Sequence, residues 1–249
     1  MRVEEINPYN EEESKGAQVE AMFDSIAPAY DFMNTAMSMG LHRRWRNKAL
    51  KAALSLFDPQ TPPTKLLDVA TGTGDVAFRL HRLLPEALVT GIDLSEGMLE
   101  IARKKLTELP EKGRQLIAFG KADSLAMPFH DSEFDLITVA YGVRNFSDLP
   151  KGLREMRRVL KPDGALCIIE LSEPQGKITG SFYKYYSQKL IPLAGRLVSG
   201  DKRAYTYLPE SIAACPQRDD MAALLRDAGF TEVRWKELTF GAVTYYIAK

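Results

Sequence analysis

Lys65-Leu-Leu-Asp68-Val-Ala-Thr-Gly72-Thr-Gly74-Asp75-Val-Ala77 decides the fold of this 249-residue chain. Leu66, Leu67, Val69 and Ala70 make a short apolar run that reads as a buried strand closed by turn residues. Gly72 and Gly74 allow a tight bend with no Cβ in the way, and Asp75 to Leu84 has the pattern of the helix that follows. Strand, glycine turn and helix N-terminus in succession turn backbone N–H groups toward a ligand. Asp93 closes a second apolar run, Val89-Thr-Gly-Ile-Asp93. An acid there can accept hydrogen bonds from both hydroxyls of a ribose. The stretch predicts a nucleoside-binding βαβ unit.

By spacing, Gly72-x-Gly74-x-x-Ala77 also fits the fingerprint of a dinucleotide site. Asp68 argues against that ligand, because a pyrophosphate would lie close to the carboxyl end of the first strand. Two like charges about 4 Å apart repel by about 4 kcal/mol at an effective dielectric near 20. A sulfonium and an ammonium would be attracted instead. S-adenosylmethionine carries both on a ribose and an adenine. The plainer role for Asp68 is a helix-capping carboxylate with no ligand contact.

Working outward, the composition is that of an ordinary soluble globule, with 45% hydrophobic and 27% charged residues. Lys plus Arg and Asp plus Glu both number 33, so there is no charge footprint for nucleic acid. Two cysteines, Cys167 and Cys215, fit a reducing compartment and form no metal-ligand spacing. No apolar run reaches the roughly 18 residues that span a bilayer. The acidic opening Met1-Arg-Val-Glu-Glu does not resemble a signal peptide. A cytoplasmic protein that touches membranes without crossing them is expected.

Upstream of the glycine turn, residues 1 to 15 are polar, with five glutamates, and read as a loose arm. Gln18 to Leu56 is helical but interrupted, with Pro28 starting a new turn and Leu41 to Leu56 forming an amphipathic helix. Pro59, Pro62 and Pro63 mark the passage into an α/β core. There, strands at 65–70, 88–92, 116–119, 134–140 and 164–171 alternate with helices at 75–84, 96–109 and 148–160. Ser95 reads as an N-cap, Pro150 falls near the first position of the third helix, and Gly164 after Pro162 stops that helix. A last helix from Asp219 to Ala228 ends at Gly229, and runs at 231–238 and 242–248 form a closing antiparallel pair. The fold class is thus a doubly wound, mostly parallel α/β sheet of Rossmann-like type with an N-terminal helical cap.

Loops after successive strands converge at the carboxyl edge of such a sheet. Asp123 and Ser124 are therefore placed for the adenine edge, and Arg144 and Asn145 for the reacting methyl. The alternatives are an Asx turn for Asp123 and a surface ion pair for Arg144. Tyr30, His42 and Trp45 lie on the cap; packing is the preferred reading for His42 and Trp45, while Tyr30 and Asn34 are open candidates for the inner wall. Residues 174 to 216, with Phe182, Tyr183, Tyr185, Tyr186, Tyr205 and Tyr207, are long for a connection and suit a lid over an apolar substrate pocket.

In this order of motifs the chain resembles the seven-stranded S-adenosylmethionine-dependent methyltransferases. Within that class it resembles the ubiquinone/menaquinone biosynthesis C-methyltransferase family. The resemblance runs from Phe23 to Lys249 and rests on Tyr30-Asp-Phe-Met-Asn34, Gly40-Leu-His-Arg-Arg-Trp45, Leu67 to Asp75 and Tyr141-Gly-Val-Arg-Asn-Phe146. Arg154 to Pro162 and Tyr207-Leu-Pro-Glu-Ser-Ile212 add to it. The resemblance implies one methyltransferase domain over 1–249, with a cap at 1–60, a cofactor core at 61–173, a substrate lid at 174–216 and closing elements at 217–249. It implies cofactor contacts at Thr73, Asp93, Asp123 and Ser124, beside Asp68, Gly72 and Gly74 from the turn. It implies methylation of a demethylated prenyl quinol, either the naphthoquinol that becomes menaquinol or the benzoquinol intermediate of ubiquinone synthesis. A peripheral membrane contact through the prenyl tail goes with it, and a homodimer is compatible.

Carbon methylation of a quinol needs a stabilised phenolate, an apolar pocket and close approach of carbon to methyl. Arg144 is the candidate for the first, with Tyr30 and Asn145 orienting it. Arginine stays charged, so the base is expected to be a water or Tyr30. Three other readings stand: a methyltransferase for a different small molecule, a dinucleotide oxidoreductase on the Gly72-x-Gly74 turn, and a non-catalytic scaffold.

Overall fold

The computed structural model describes residues 2–9, 12–176 and 202–249, and only the backbone of 202, 204 and 205. The cap consists of α1 (Lys15–Ile26), α2 (Tyr30–Ser38) and α3 (Leu41–Leu54). The core follows as β1 (Lys65–Val69), α4 (Asp75–Leu83), β2 (Leu88–Asp93), α5 (Glu96–Thr107), a short α6 (Glu111–Arg114), β3 (Ile117–Lys121) and β4 (Phe134–Ala140). It continues through α7 (Leu149–Val159) and β5 (Leu160–Leu171). Beyond residue 201 lie α8 (Lys202–Ala214), α9 (Asp219–Asp227), β6 (Val233–Leu238) and β7 (Val243–Ala248).

The seven strands form one sheet in the order β3-β2-β1-β4-β5-β7-β6. β1 to β5 run parallel, and β7 enters antiparallel between β5 and β6. This is the mostly parallel, doubly wound sheet with a C-terminal antiparallel pair that the sequence predicts. Chain order reverses between β1 and β4, and that switch point opens a crevice at the carboxyl ends of the strands.

Strand parity decides what reaches the crevice. Leu67 and Val69 face one side, with Leu153 and Met156 of α7 and Leu225 of α9. Leu66 faces the other, with Ala49, Leu50 and Ala53 of α3 and Leu80 of α4. Asp68 shares the parity of Leu66, so its carboxyl lies on the face that the cap covers. The helix ends follow the sequence signals. Ser95 Oγ accepts from Met98 N at 3.1 Å, and Asp148 Oδ1 accepts from Lys151 N at 2.9 Å ahead of Pro150. Gly229, at φ 99°, follows the end of α9.

Three expectations are corrected or bounded. Gly164 does not stop α7, which ends at Val159; Leu160 is already in β5, and Gly164 sits inside that strand. A Cβ there would come within 2.8 Å of Asp135 O, and the register shifts between Phe134 and Leu136 opposite it. The strand bulges past Pro162, whose missing N–H costs nothing because pairing with β7 starts only at Leu166. The N-terminal arm is not loose. Val3 is 1% exposed in the core, and Ile6 is buried against the cap. The buried Lys15 ammonium donates to the carbonyls of Val3 and, at 3.3 Å, of Arg144. Arg203 of α8 donates to the carbonyls of Pro8 and Tyr9, at 3.2 and 2.9 Å. Of the lid aromatics, Phe182, Tyr183, Tyr185 and Tyr186 lie outside the described residues. Among the described residues, no helix is long and apolar enough to cross a membrane.

Candidate active site

Two cavities meet at the switch point. The larger, about 820 Å³, lies between the cap and the strand ends. The smaller, about 90 Å³, runs from the glycine turn along the ends of β2 and β3. Tyr30, Ala70, Gly72, Tyr141 and Asn145 line both, so the two lie side by side at these residues.

The turn after β1 is built to leave space. Gly72 has φ +56°, and a Cβ added to it would meet no protein atom within 4 Å. Gly74 has φ +81°, but its Cβ would strike the rings of Phe78 and Phe119 at 2.8 Å. Gly74 lines neither cavity, and its smallness makes room for the rings packed under the turn.

Asp93 reaches back to that turn. Its Oδ2 accepts from Gly72 N at 2.7 Å and its Oδ1 from Ser95 N at 3.0 Å. Burial holds its carboxyl above the ordinary range, against the pull of these N–H groups. Asp93, Asp123 and Ser124 all line the smaller cavity. Asp123 also forms the turn foreseen as its plainer role, accepting from Leu125 N at 2.8 Å.

Asp68 is not a helix cap. It is buried and accepts from Thr71 Oγ1 and Thr138 Oγ1, both at 2.6 Å. Thr138 is its register partner on β4. Burial pushes its pKa up to about 6, offset in part by these two hydroxyls and by Arg46. Asp68 is among the residues that line the larger cavity.

Thr73 lines the same cavity and ties the turn to the cap, donating to Asp31 Oδ1 at 2.7 Å and accepting from Lys105 Nζ at 3.0 Å. Lys105 Nζ also lies 2.6 Å from Asp31 Oδ2 and 3.0 Å from Asp75 Oδ1, and Arg46 Nη2 lies 2.9 Å from Asp75 Oδ2. This network joins α2 and α3 to α4 and α5 around the turn. The sequence does not announce it, since each member alone reads as a surface charge.

Arg144 is not in a surface ion pair. It sits in a 3-10 turn, Val143–Asn145, with Nη1 2.8 Å from Glu170 Oε1, and the two side chains are 7% and 3% exposed. Nη1 also donates to the Tyr141 carbonyl, while Nε is buried without a partner. Burial opposes its charge, but Glu170, Tyr30 and Tyr207 outweigh it and hold the guanidinium protonated. Glu170 is a residue that sequence reasoning missed. Its signal was a lone acid inside the apolar run Ala165-Leu-Cys-Ile-Ile-Glu-Leu171.

Asn145 Oδ1 accepts from Tyr207 Oη at 3.1 Å, which brings α8 to the site. Tyr30 is held by the Asn34 side chain, and burial raises its pKa. It is therefore a neutral hydroxyl and a poor candidate for the base. Trp45 packs against the core and donates to Thr239 Oγ1 at 2.7 Å, and it also lines the larger cavity. His42 is buried too, yet it lines the larger cavity.

Comparison with known proteins agrees with this geometry. The ubiE/COQ5 methyltransferase family matches residues 11–249. The demethylmenaquinone methyltransferase of Bacteroides fragilis is 46% identical, over 98% of this chain and 97% of its own. The ubiquinone/menaquinone biosynthesis C-methyltransferase UbiE of Geobacter sulfurreducens is 40% identical, over 93% of this chain and 88% of its own. A solved structure from Thermotoga maritima, described as a SAM-dependent methyltransferase, shares the fold with a TM-score of 0.61 at 19% identity, over 92% of this chain and 98% of its own. The chain belongs to the ubiE/COQ5 methyltransferase family.

Proposed function

We propose that the protein transfers a methyl group from S-adenosylmethionine to a ring carbon of a demethylated prenyl quinol, foremost demethylmenaquinol. The pair of adjoining cavities carries this reading: a narrow cleft edged by Asp93, Asp123 and Ser124 lies beside a larger apolar chamber, with Tyr30, Gly72 and Asn145 lining both. The names of the relatives in Bacteroides fragilis and Geobacter sulfurreducens support the substrate class, and the second name favours the benzoquinol as an additional substrate.

S-adenosylmethionine, when bound, supplies an electrophilic methyl on a sulfonium. Asp93 would hold the ribose, Asp123 and Ser124 the adenine edge, and Asp68 with Thr73 the cationic end. Arg144 would face the quinol oxygen as its proton leaves, stabilising the charge that pushes electrons onto the neighbouring carbon. Glu170 fixes the guanidinium, and Asn145, held by Tyr207, orients the ring. Water takes the hydroxyl proton in this scheme. The ring carbon gains the methyl, the carbon–sulfur bond breaks toward sulfur, and loss of the carbon's own hydrogen restores aromaticity.

Met39 and Phe240 line the larger cavity, yet are 83% and 82% exposed. Two large apolar side chains at its mouth suit a prenyl tail that leaves toward a lipid surface. Residues 174–216 would then serve as a substrate lid, to which α8 contributes Tyr207, Leu208 and Ile212.

Incubation with methyl-labelled donor and each demethylated quinol under reducing conditions tests the assignment. Label in the naphthoquinol product is expected; no transfer to either quinol would sink it. A melting shift with S-adenosylhomocysteine and none with a nicotinamide dinucleotide removes the oxidoreductase alternative.

A pH dependence follows for the donor. Asp68 in the free protein titrates near 6, above the ordinary carboxylate value, and a cationic ligand favours its ionised form. Affinity for S-adenosylmethionine is expected to be flat above about pH 6 and to fall below it, at most about tenfold per pH unit. Calorimetry from pH 8 to pH 5 reads this directly, and Asp68→Asn should flatten most of the fall. An unchanged dissociation constant across that range in the wild type would remove Asp68 from the cationic end.

A further inference from the structure

We propose that His42 makes the site selective for the reduced quinol over its oxidised quinone, by presenting a bare Nε2 lone pair that a quinol hydroxyl can donate to and a quinone carbonyl cannot. This rests on the quinol reading above. His42 is 6% exposed and lines the large cavity together with Asn34 and Ser38 from the preceding helix.

The tautomer is set by counting hydrogens. Ser38 Oγ lies 2.6 Å from the Asn34 carbonyl and 2.6 Å from His42 Nδ1. A hydroxyl has one hydrogen. If it went to Nδ1, the Asn34 carbonyl and Ser38 Oγ would stand lone pair to lone pair at 2.6 Å. The satisfied arrangement runs Nδ1–H to Ser38 Oγ, and Ser38 O–H to the Asn34 carbonyl. Nδ1 then carries the proton and Nε2 is left as the acceptor, its tautomer set by a relay within the cap itself.

The ring is also held neutral. Burial and the nearby Arg46 lower its pKa to about 4, with Arg43 adding to this and Asp75 and Asp31 opposing it. Such an imidazole is a poor destination for the proton of a phenol with a pKa near 10. It is well suited to accept a hydrogen bond without taking the proton. A quinone would set its own carbonyl oxygen against Nε2, leaving two acceptors facing each other in an apolar chamber, and sites that lose a built-in polar partner reject the analogue strongly.

The test uses a para-naphthoquinone with a short prenyl tail, in its oxidised and anaerobically reduced forms, titrated into the full chain saturated with S-adenosylhomocysteine. The wild type is expected to bind the quinol at least about tenfold more tightly than the quinone. His42→Gln offers an amide that turns either its carbonyl or its NH₂ to the ligand, and should bring the ratio within about threefold. Ser38→Ala releases the tautomer, lets Nε2 carry the proton, and should lower the ratio in the same direction. Loss of packing alone would weaken both forms together and leave the ratio intact. A wild type that binds both forms equally, or variants that keep the wild-type ratio, would overturn the role of His42 alone. A wild type that binds neither form defeats the quinol reading, and this inference with it.

Discussion

Arg144→Ala is expected to lower turnover by about 100- to 1,000-fold while leaving affinity for S-adenosylhomocysteine within a few-fold. The loss has two separable parts. The first is chemical: the substituted chamber has lost the guanidinium proposed to meet a developing phenolate. The second is structural, because removal of the guanidinium strands Glu170, 3% exposed, as an uncompensated buried charge. Breaking one side of such a pair typically costs about 3–5 kcal/mol. Arg144→Ala alone should therefore melt several degrees lower as well as fail to turn over. Adding Glu170→Gln removes the stranded charge and keeps one acceptor, for the Leu171 N–H that Glu170 Oε1 holds at 2.8 Å. The double variant is expected to recover a large part of the melting temperature and none of the activity. Recovery of both would mean that Arg144 matters only as the partner of Glu170. Loss of cofactor binding in the double variant would mean that it belongs to the donor's site instead.

The second large effect is expected at Asp93. Its carboxylate ties Gly72 N at 2.7 Å to Ser95 N at 3.0 Å, and so joins the glycine turn to the first turn of α5. In the proposed complex the same oxygens accept both ribose hydroxyls. Hydrogen bonds to a charged acceptor contribute about 1.5–3 kcal/mol each, so losing two ligand bonds predicts at least about a 100-fold loss of donor affinity in Asp93→Ala. Asp93→Asn keeps one acceptor and should lose about tenfold. Calorimetry with S-adenosylhomocysteine gives both numbers. A dissociation constant for Asp93→Ala within fivefold of wild type would show that the ribose lies elsewhere.

The sheet was legible because its signals are local. Apolar runs ending in Gly72 and Asp93, a capping serine at Ser95 and a proline at the start of α7 each act within a few residues, and the structure keeps all of them. Gly164 misled because Pro-x-Gly after a helical run reads as a stop; only the partner strand reveals that Lys161 to Gly164 bulges within β5. The arm at residues 2–9 misled for a related reason. Its glutamates set the composition, whereas Val3 and Ile6 set its position, and the buried Lys15 that fastens it looks like any surface lysine in sequence.

In the site, Gly72, Asp93, Asp123 and Ser124, which line the smaller cavity, were readable from the order and spacing of the motifs. The charges were not. Asp31, Arg46, Asp75 and Lys105 come from four different helices, and only their folding together distinguishes a network from scattered surface polarity. His42 was read as packing because burial and a cavity wall leave the same mark on a sequence.

That four-helix network bolts the roof of the acceptor chamber to the floor of the donor's seat, with Thr73 as the shared rivet. If a donor settling on the floor steadies the roof, the steadier roof grips the acceptor more tightly. Thermodynamic reciprocity makes the two gains equal, so an occupied acceptor chamber must slow escape of the donor, tighten its capture, or both, to the same overall extent.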